Sequence, residues 1–248
     1  MYGACVASNG VSFTINSHGA TRCTLLLFKP QAPKPYARIP FPDSYRIGDT
    51  YSMLVYDIKP DEFEYAFSFD GPYEPAKGLL FNEENVLLDP YSRAVTGQRK
   101  WGEKPEGGKD FEYRARVVKS SFDWGNIKQL EQPFEDLVIY EIHVRGYTKD
   151  KSSGVSAPGT FAGLKDKIPY LKDLGINAVE LMPIFEFDEM ESARVVDGVQ
   201  LYNYWGYNTV SFFVTEYQLC LQRGAQPRGR RAEIADKGFK GKWHRGHS

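Results

Sequence analysis

The segment 137–184 constrains the fold more than any other part of this 248-residue chain. Leu137, Val138 and Ile139 form an apolar run that Val144 continues, which predicts a strand buried on both faces. Gly154, Pro158 and Gly159 then break the chain. Thr160 is placed to cap a helix whose apolar positions Phe161, Leu164, Ile168, Leu171 and Leu174 follow steps of three and four. Gly175 stands where a helix-ending glycine belongs. A second buried run, Ile176 to Ile184, comes at once, interrupted only by Asn177 and Glu180. Strand, helix and strand with the helix as crossover is a βαβ unit, and it requires a parallel sheet.

Upstream the pattern is different. Residues 8–125 read as all-β, with no helical period of useful length. Val11 to Ile15 alternates with period two, Cys23 to Phe28 is a short buried run, and Pro30 to Pro42 reads as a loop or edge. Met53 to Tyr56 and Phe63 to Phe69 come next, each bounded by Asp, Gly or Pro. Short strands separated by turn signals predict a β-sandwich of about a hundred residues. Residues 126–136 form a polar linker, 137–217 hold the βαβ pattern and an aromatic segment after it, and 218–248 make a separate tail.

Charge and cysteine content exclude several functions. The formal net charge is −1, which gives no argument for a nucleic-acid or membrane partner. Residues 219–248 alone are basic, with eight Lys/Arg against Glu233 and Asp236. Cys5, Cys23 and Cys220 are odd in number and lack Cys-x-x-Cys spacing, so neither a disulfide framework nor a metal site is expected. The chain shows no signal-peptide pattern and no run of about 18 apolar residues, which predicts a cytoplasmic setting. Gly-x-Gly-x-x-Gly, Walker and Gly-x-Ser-x-Gly spacings are absent, and no cofactor is implied.

Three long blocks occur in a telling order: VIYEIHVRGYT, GTFAGLKDKIPYLKDLGINAVELMPIFEF and NYWGYNTVSFF. They resemble the opening of the catalytic barrel in the α-amylase superfamily of glycoside hydrolases, and most of all the bacterial glycogen debranching enzymes of the isoamylase type. The resemblance covers roughly residues 8 to 217. It implies a starch-binding-like β-sandwich followed by the first part of a (β/α)8 barrel, here incomplete. It also implies an α-glucan partner such as glycogen, starch or limit dextrin. The residue matching the family's sugar-stacking tyrosine is Tyr207, whose flat ring suits the apolar face of a glucose unit. Trp205 and Tyr204 are expected to pack beneath the same loop. The blocks Phe69 to Tyr73 and Leu87 to Tyr91 resemble loops of the family's N-terminal module. There Trp101, Tyr73 and Tyr91 either form a glucan platform or pack the module onto the barrel.

The reactive groups of that family are not found. A retaining glycosidase needs two carboxyl groups roughly 5 Å apart across the scissile bond, and in the family they lie on later barrel strands. A complete barrel takes about 250 residues, far more than residues 137–217 supply. Glu141, Glu180, Glu186 and Asp188 match no catalytic position. Glu141 and Glu180 are expected to be buried and hydrogen-bonded, and His143 is expected to be structural. No catalytic residue is therefore assigned. The expected function is that of the N-terminal part of an α-1,6-glucan debranching hydrolase, inactive alone. The alternatives are a non-catalytic glucan-binding sandwich, or a parent enzyme of pullulanase-like specificity.

The tail departs from the resemblance altogether. Back-translated from Leu219 with permitted codons and read one base later, one allowed choice contains ELKSLIRALKENG followed by IEVI. Its Leu, Leu, Ile and Leu fall at i, i+3, i+4 and i+7 before a helix-stopping Asn-Gly. Residues from Leu219 onward are thus expected to be a frameshifted, disordered reading of ordinary family sequence.

Overall fold

Val11, Phe13 and Ile15 are buried while Ser12, Thr14 and Asn16 beside them are not, so the period-two pattern is a strand with one face inside. The computed structural model describes residues 1–96, 102, 113–119, 125–126 and 131–220. It divides the chain into two units: Met1–Lys119 with Ser211–Val214, and Ser120–Val210 with Thr215–Ser248.

The first unit is built from short strands in chain order: β1 (Gly3–Ala7), β2 (Gly10–Asn16), β3 (Arg22–Phe28), β4 (Ala37–Pro40), β5 (Arg46–Ile47) and β6 (Thr50–Tyr56). Then come β7 (Glu64–Asp70), β8 (Tyr73–Glu74), β9 (Leu79–Leu80), β10 (Val95–Thr96) and β11 (Arg114–Ala115). One antiparallel sheet has the order β1-β2-β6-β5 and the other β10-β11-β7-β3-β4, with β8 and β9 as a separate small hairpin. The sandwich therefore starts at Gly3, ahead of the expected residue 8, because β1 pairs along its whole length with β2.

The core lies between the two sheets, where Phe13, Tyr51 and Met53 meet Leu25, Tyr65 and Phe67. On the other face of the larger sheet, Leu26, Phe28 and Ala66 form a second buried cluster, which is why β3 reads as a continuous apolar run. There the Arg114 guanidinium lies 3.7 Å from the centre of the Phe28 ring and 3.7 Å from the Glu64 carboxylate. It also donates to the carbonyls of Ala32 and Pro33, fixing the proline-rich loop. Pro40 sits opposite Thr24 on the edge strand β4, where its missing N–H is harmless.

In the second unit, β12 (Ile139–Ile142) and β13 (Ala178–Leu181) pair in parallel from Ile139↔Ala178 to Ile142↔Leu181. The strand-helix-strand reading holds, with three corrections. Val144 does not continue the strand but opens α1 (Val144–Lys149), capped by His143. The single helix expected from Phe161 to Leu174 is two, α2 (Phe161–Asp166) and α3 (Ile168–Asp173). Pro169 lacks an N–H and its ring crowds the preceding turn, so the chain breaks at Lys167 and restarts with proline in the first turn. Finally, Val138, Ile139 and Tyr140 are 50%, 51% and 37% exposed rather than buried on both faces. The helices cover one face of this two-stranded sheet: Ile142 packs with Leu164 and Leu171.

Local signals at the ends of the crossover behave as read. The Thr160 hydroxyl accepts the Gly163 N–H at 3.2 Å. Gly175, at φ +85°, reverses the chain so that Ile176 N–H reaches the Leu171 carbonyl at 2.9 Å. Asn177, the polar interruption in the second run, accepts the Val138 N–H and donates to the Asp136 carbonyl, both at 2.7 Å. It thereby ties the start of β12, and the end of the expected linker, to the start of β13.

The remaining elements are β14 (Phe185–Phe187), β15 (Arg194–Val196), β16 (Val199–Leu201), β17 (Thr209–Thr215) and α4 (Tyr217–Cys220). The expected tail boundary at 218 is corrected by α4, because Leu219 is 5% exposed and belongs to the core of Ile142, Val144 and Leu171. The rest of the expected disordered tail lies outside the described residues. No helix among the described residues is long and apolar enough to cross a membrane.

Candidate functional site

The aromatic segment 202–208 is shaped by one glycine. Gly206 has φ +73°, and a Cβ there would lie 2.9 Å from ring atoms of Phe187. The turn is closed by the Gly206 N–H donating to Asn203 Oδ1 at 3.2 Å, while the Asn203 N–H donates to the Glu189 carbonyl at 2.9 Å. Its consequence is an outward display of rings: Tyr204, Trp205 and Tyr207 are 47%, 52% and 66% exposed. Tyr204 and Trp205 were expected beneath the loop. They are half-exposed instead, because Phe187 occupies the inner side of the turn.

His143 supports this display from below. It comes directly after the last residue of β12, at the carboxyl end of the parallel pair, and its ring centre is 4.4 Å from that of Tyr204 and 5.6 Å from that of Trp205. Tyr204 and Trp205 meet edge to face at 5.0 Å. His143 Nδ1 accepts the Gly146 N–H at 3.0 Å, so the neutral ring carries its proton on Nε2. Burial pushes the His143 pKa below its ordinary value, and Arg145 acts in the same direction, while hydrogen bonding to the Tyr204 backbone opposes them. Gly146 leaves room for this packing, since a Cβ there would meet the Tyr204 hydroxyl and His143 Nδ1 and push them aside. His143 thus serves as helix cap and ring support.

Glu141 and Glu180 stand opposite each other in the parallel register and are both exposed, against the expectation that they are buried. The uncovered sheet face explains this. Glu186 is buried, and Asp188 Oδ1 accepts the Met190 N–H at 2.9 Å, which makes Asp188 a turn residue. Among the described residues no group of three or more His, Cys, Asp or Glu side chains is arranged to hold a metal ion. Asn208 Nδ2 donates to Glu191 Oε2 at 2.9 Å, a contact that sequence reading missed and that no spacing rule would reveal.

On the first unit, Tyr91 stacks on Tyr2 at 4.9 Å and on Phe213 at 6.0 Å. Tyr73 is 68% exposed on the β8–β9 hairpin. Trp101 lies outside the described residues.

Residues 1–92 match the family model described as carbohydrate-binding module 48, the isoamylase N-terminal domain. The chain is 37% identical over 218 residues to the chloroplastic isoamylase 1 of Oryza sativa subsp. japonica, covering 85% of this chain and 27% of that protein. It is 34% identical over 222 residues to the glycogen debranching enzyme of Yersinia enterocolitica, covering 84% of this chain and 32% of that one. It therefore spans about a third of these relatives or less. In fold it is similar to a pullulanase from Paenibacillus barengoltzii, solved with maltotriose, at a TM-score of 0.73 and 20% identity. That likeness covers 99% of this chain and 36% of the pullulanase. A Bacillus subtilis type I pullulanase, solved with maltose, gives a TM-score of 0.66 at 21% identity over 98% of this chain and 33% of its own. Residues 1–92 are thus similar to carbohydrate-binding module 48, and the chain they open is similar over most of its length to isoamylases and glycogen debranching enzymes.

Proposed function

We propose that this chain corresponds to the N-terminal module and barrel start of an α-1,6-glucan debranching hydrolase, and that it contacts α-glucan through Tyr207. The observation that carries this reading is the exposed Tyr207 ring beside half-exposed Trp205, on a turn fixed by Gly206 against Phe187. Flat, partly desolvated rings suit the apolar faces of glucose units, and their hydroxyl and indole edges suit the polar rim. The β12–α–β13 crossover, with Tyr207 later in the chain, fits the opening of a (β/α)8 barrel, in which functional loops come after the strands. The parent reaction in this reading is retaining hydrolysis by two carboxyl groups. No residue of this chain is assigned to either role, so the chain alone binds glucan without cleaving it. Cys5 and Cys23 carry free thiols, which suits a reducing cytoplasm.

The test pairs binding with hydrolysis. Isothermal titration with maltohexaose should give measurable binding that Tyr207→Ala weakens about ten-fold, the scale of a lost ring contact. The same protein should release no reducing sugar from glycogen or pullulan above a blank. Binding unaffected by Tyr207→Ala, or hydrolysis by the pure chain, would reject the reading.

A further inference from the structure

Among the described residues no hydrogen bond or ring contact holds the phenol of Tyr207 itself, which stands 66% exposed. Its presentation therefore depends on the backbone on either side. Before it, Gly206 is seated against Phe187 and closed by Asn203. After it, Asn208 is held by one bond, Nδ2 to Glu191 Oε2 at 2.9 Å, from a residue seventeen positions earlier. Glu191 is itself set in successive turns: Met190 N–H meets Asp188 Oδ1 at 2.9 Å, Glu191 N–H meets the Asp188 carbonyl at 3.3 Å, and Ala193 N–H meets the Met190 carbonyl at 3.1 Å. The end of β14 and the loop after it thus grip the aromatic turn at three places, through Phe187, the Glu189 carbonyl and the Glu191 carboxylate.

We propose that Glu191 is a positioning residue for glucan binding, gripping Asn208 so that the Tyr207 ring is presented in one orientation. This rests on the reading of Tyr207 as the glucan-contact residue. The physical basis is entropic: a ring on a loosely held backbone must be ordered when a sugar stacks on it, and a backbone already fixed removes that cost. The bond is exposed, so its loss should alter sugar affinity while leaving the fold intact.

The experiment uses the full 248-residue chain, with maltohexaose titrated by calorimetry and thermal unfolding measured alongside. Asn208→Asp sets two carboxylates against each other and should weaken binding about five-fold, with a Tm within about 2 °C of the parent. Adding Glu191→Gln to Asn208→Asp reverses donor and acceptor, and should restore the affinity to within about two-fold. Glu191→Ala, which removes the grip without repulsion, should weaken binding about three-fold and guards against misfolding of the first variant. Parent-like affinity in both Asn208→Asp and Glu191→Ala, with Tyr207→Ala still impaired, would overturn the proposal alone. Failure of the swapped pair to recover while its Tm stays at the parent value would do the same. Parent-like affinity in Tyr207→Ala would overturn both the proposal and the reading beneath it.

Discussion

The Tyr65 hydroxyl donates to Asp89 Oδ2 at 2.7 Å inside the sandwich, and the other carboxylate oxygen accepts the Tyr91 N–H at 2.8 Å. Both Tyr65 and Asp89 are buried, so a single aspartate closes the loop before Tyr91 and satisfies a phenol that water cannot reach. Asp89→Ala should cost about 3 kcal/mol, since it orphans the buried hydroxyl as well as the amide. Urea unfolding measures it.

The same carboxyl predicts a pH dependence. Burial raises the Asp89 pKa above its ordinary value, and the bonds from Tyr65 and Tyr91 offset this only in part. The folded state then holds the proton more firmly than the unfolded state does. Its contribution to stability therefore falls as pH rises from the ordinary carboxylate range through the raised value. Asp89→Asn should flatten that part of the stability–pH curve, as read from the Tm at successive pH values.

His143 gives a slope of the opposite sign. Its folded pKa is lowered, chiefly by burial, so protonation favours the unfolded chain. Stability of the second unit should fall as pH drops from about 7 through the ordinary histidine value of roughly 6.5 and on to the lowered one. His143→Asn keeps a capping acceptor for α1 but cannot titrate, and should remove the slope. Tyrosine and tryptophan fluorescence during thermal unfolding tracks it.

Gly206→Ala places a methyl group 2.9 Å from the Phe187 ring on a backbone of φ +73°. Strain and overlap together should cost about 2–3 kcal/mol, more than the few tenths typical of a surface change. Gly198→Ala in the β15–β16 turn is the control: it shares a positive φ, of 78°, but meets nothing within 4 Å. The larger drop in Tm should belong to Gly206→Ala.

Sequencing the gene should reveal one inserted or deleted base near codons 215–219. A helix-and-strand pattern should then continue in the other frame across the stretch that encodes residues 219–248. A single open frame through this region, with no such pattern in either alternative frame, would refute the frameshift.

Short-range patterns were enough to find the elements of this chain. The alternation of Val11, Phe13 and Ile15, the Thr160 cap and the Gly175 reversal depend on residues a few positions apart, so each appears directly in the order of side chains. Even the break at Lys167 had its signal in Pro169, overridden in reading by the apolar steps on either side. What only the tertiary structure decided depends on the path of the chain between distant segments. The contact of His143 with Tyr204, the grip of Glu191 on Asn208 and the seat of Arg114 on Phe28 join residues that no local period relates. Exposure was decided the same way. Val138 and Ile139 read as buried because apolar β-branched runs belong to sheets covered on both faces. Burial, however, is a property of what packs against a strand, and an apolar run in the sequence carries no record of whether that partner is present.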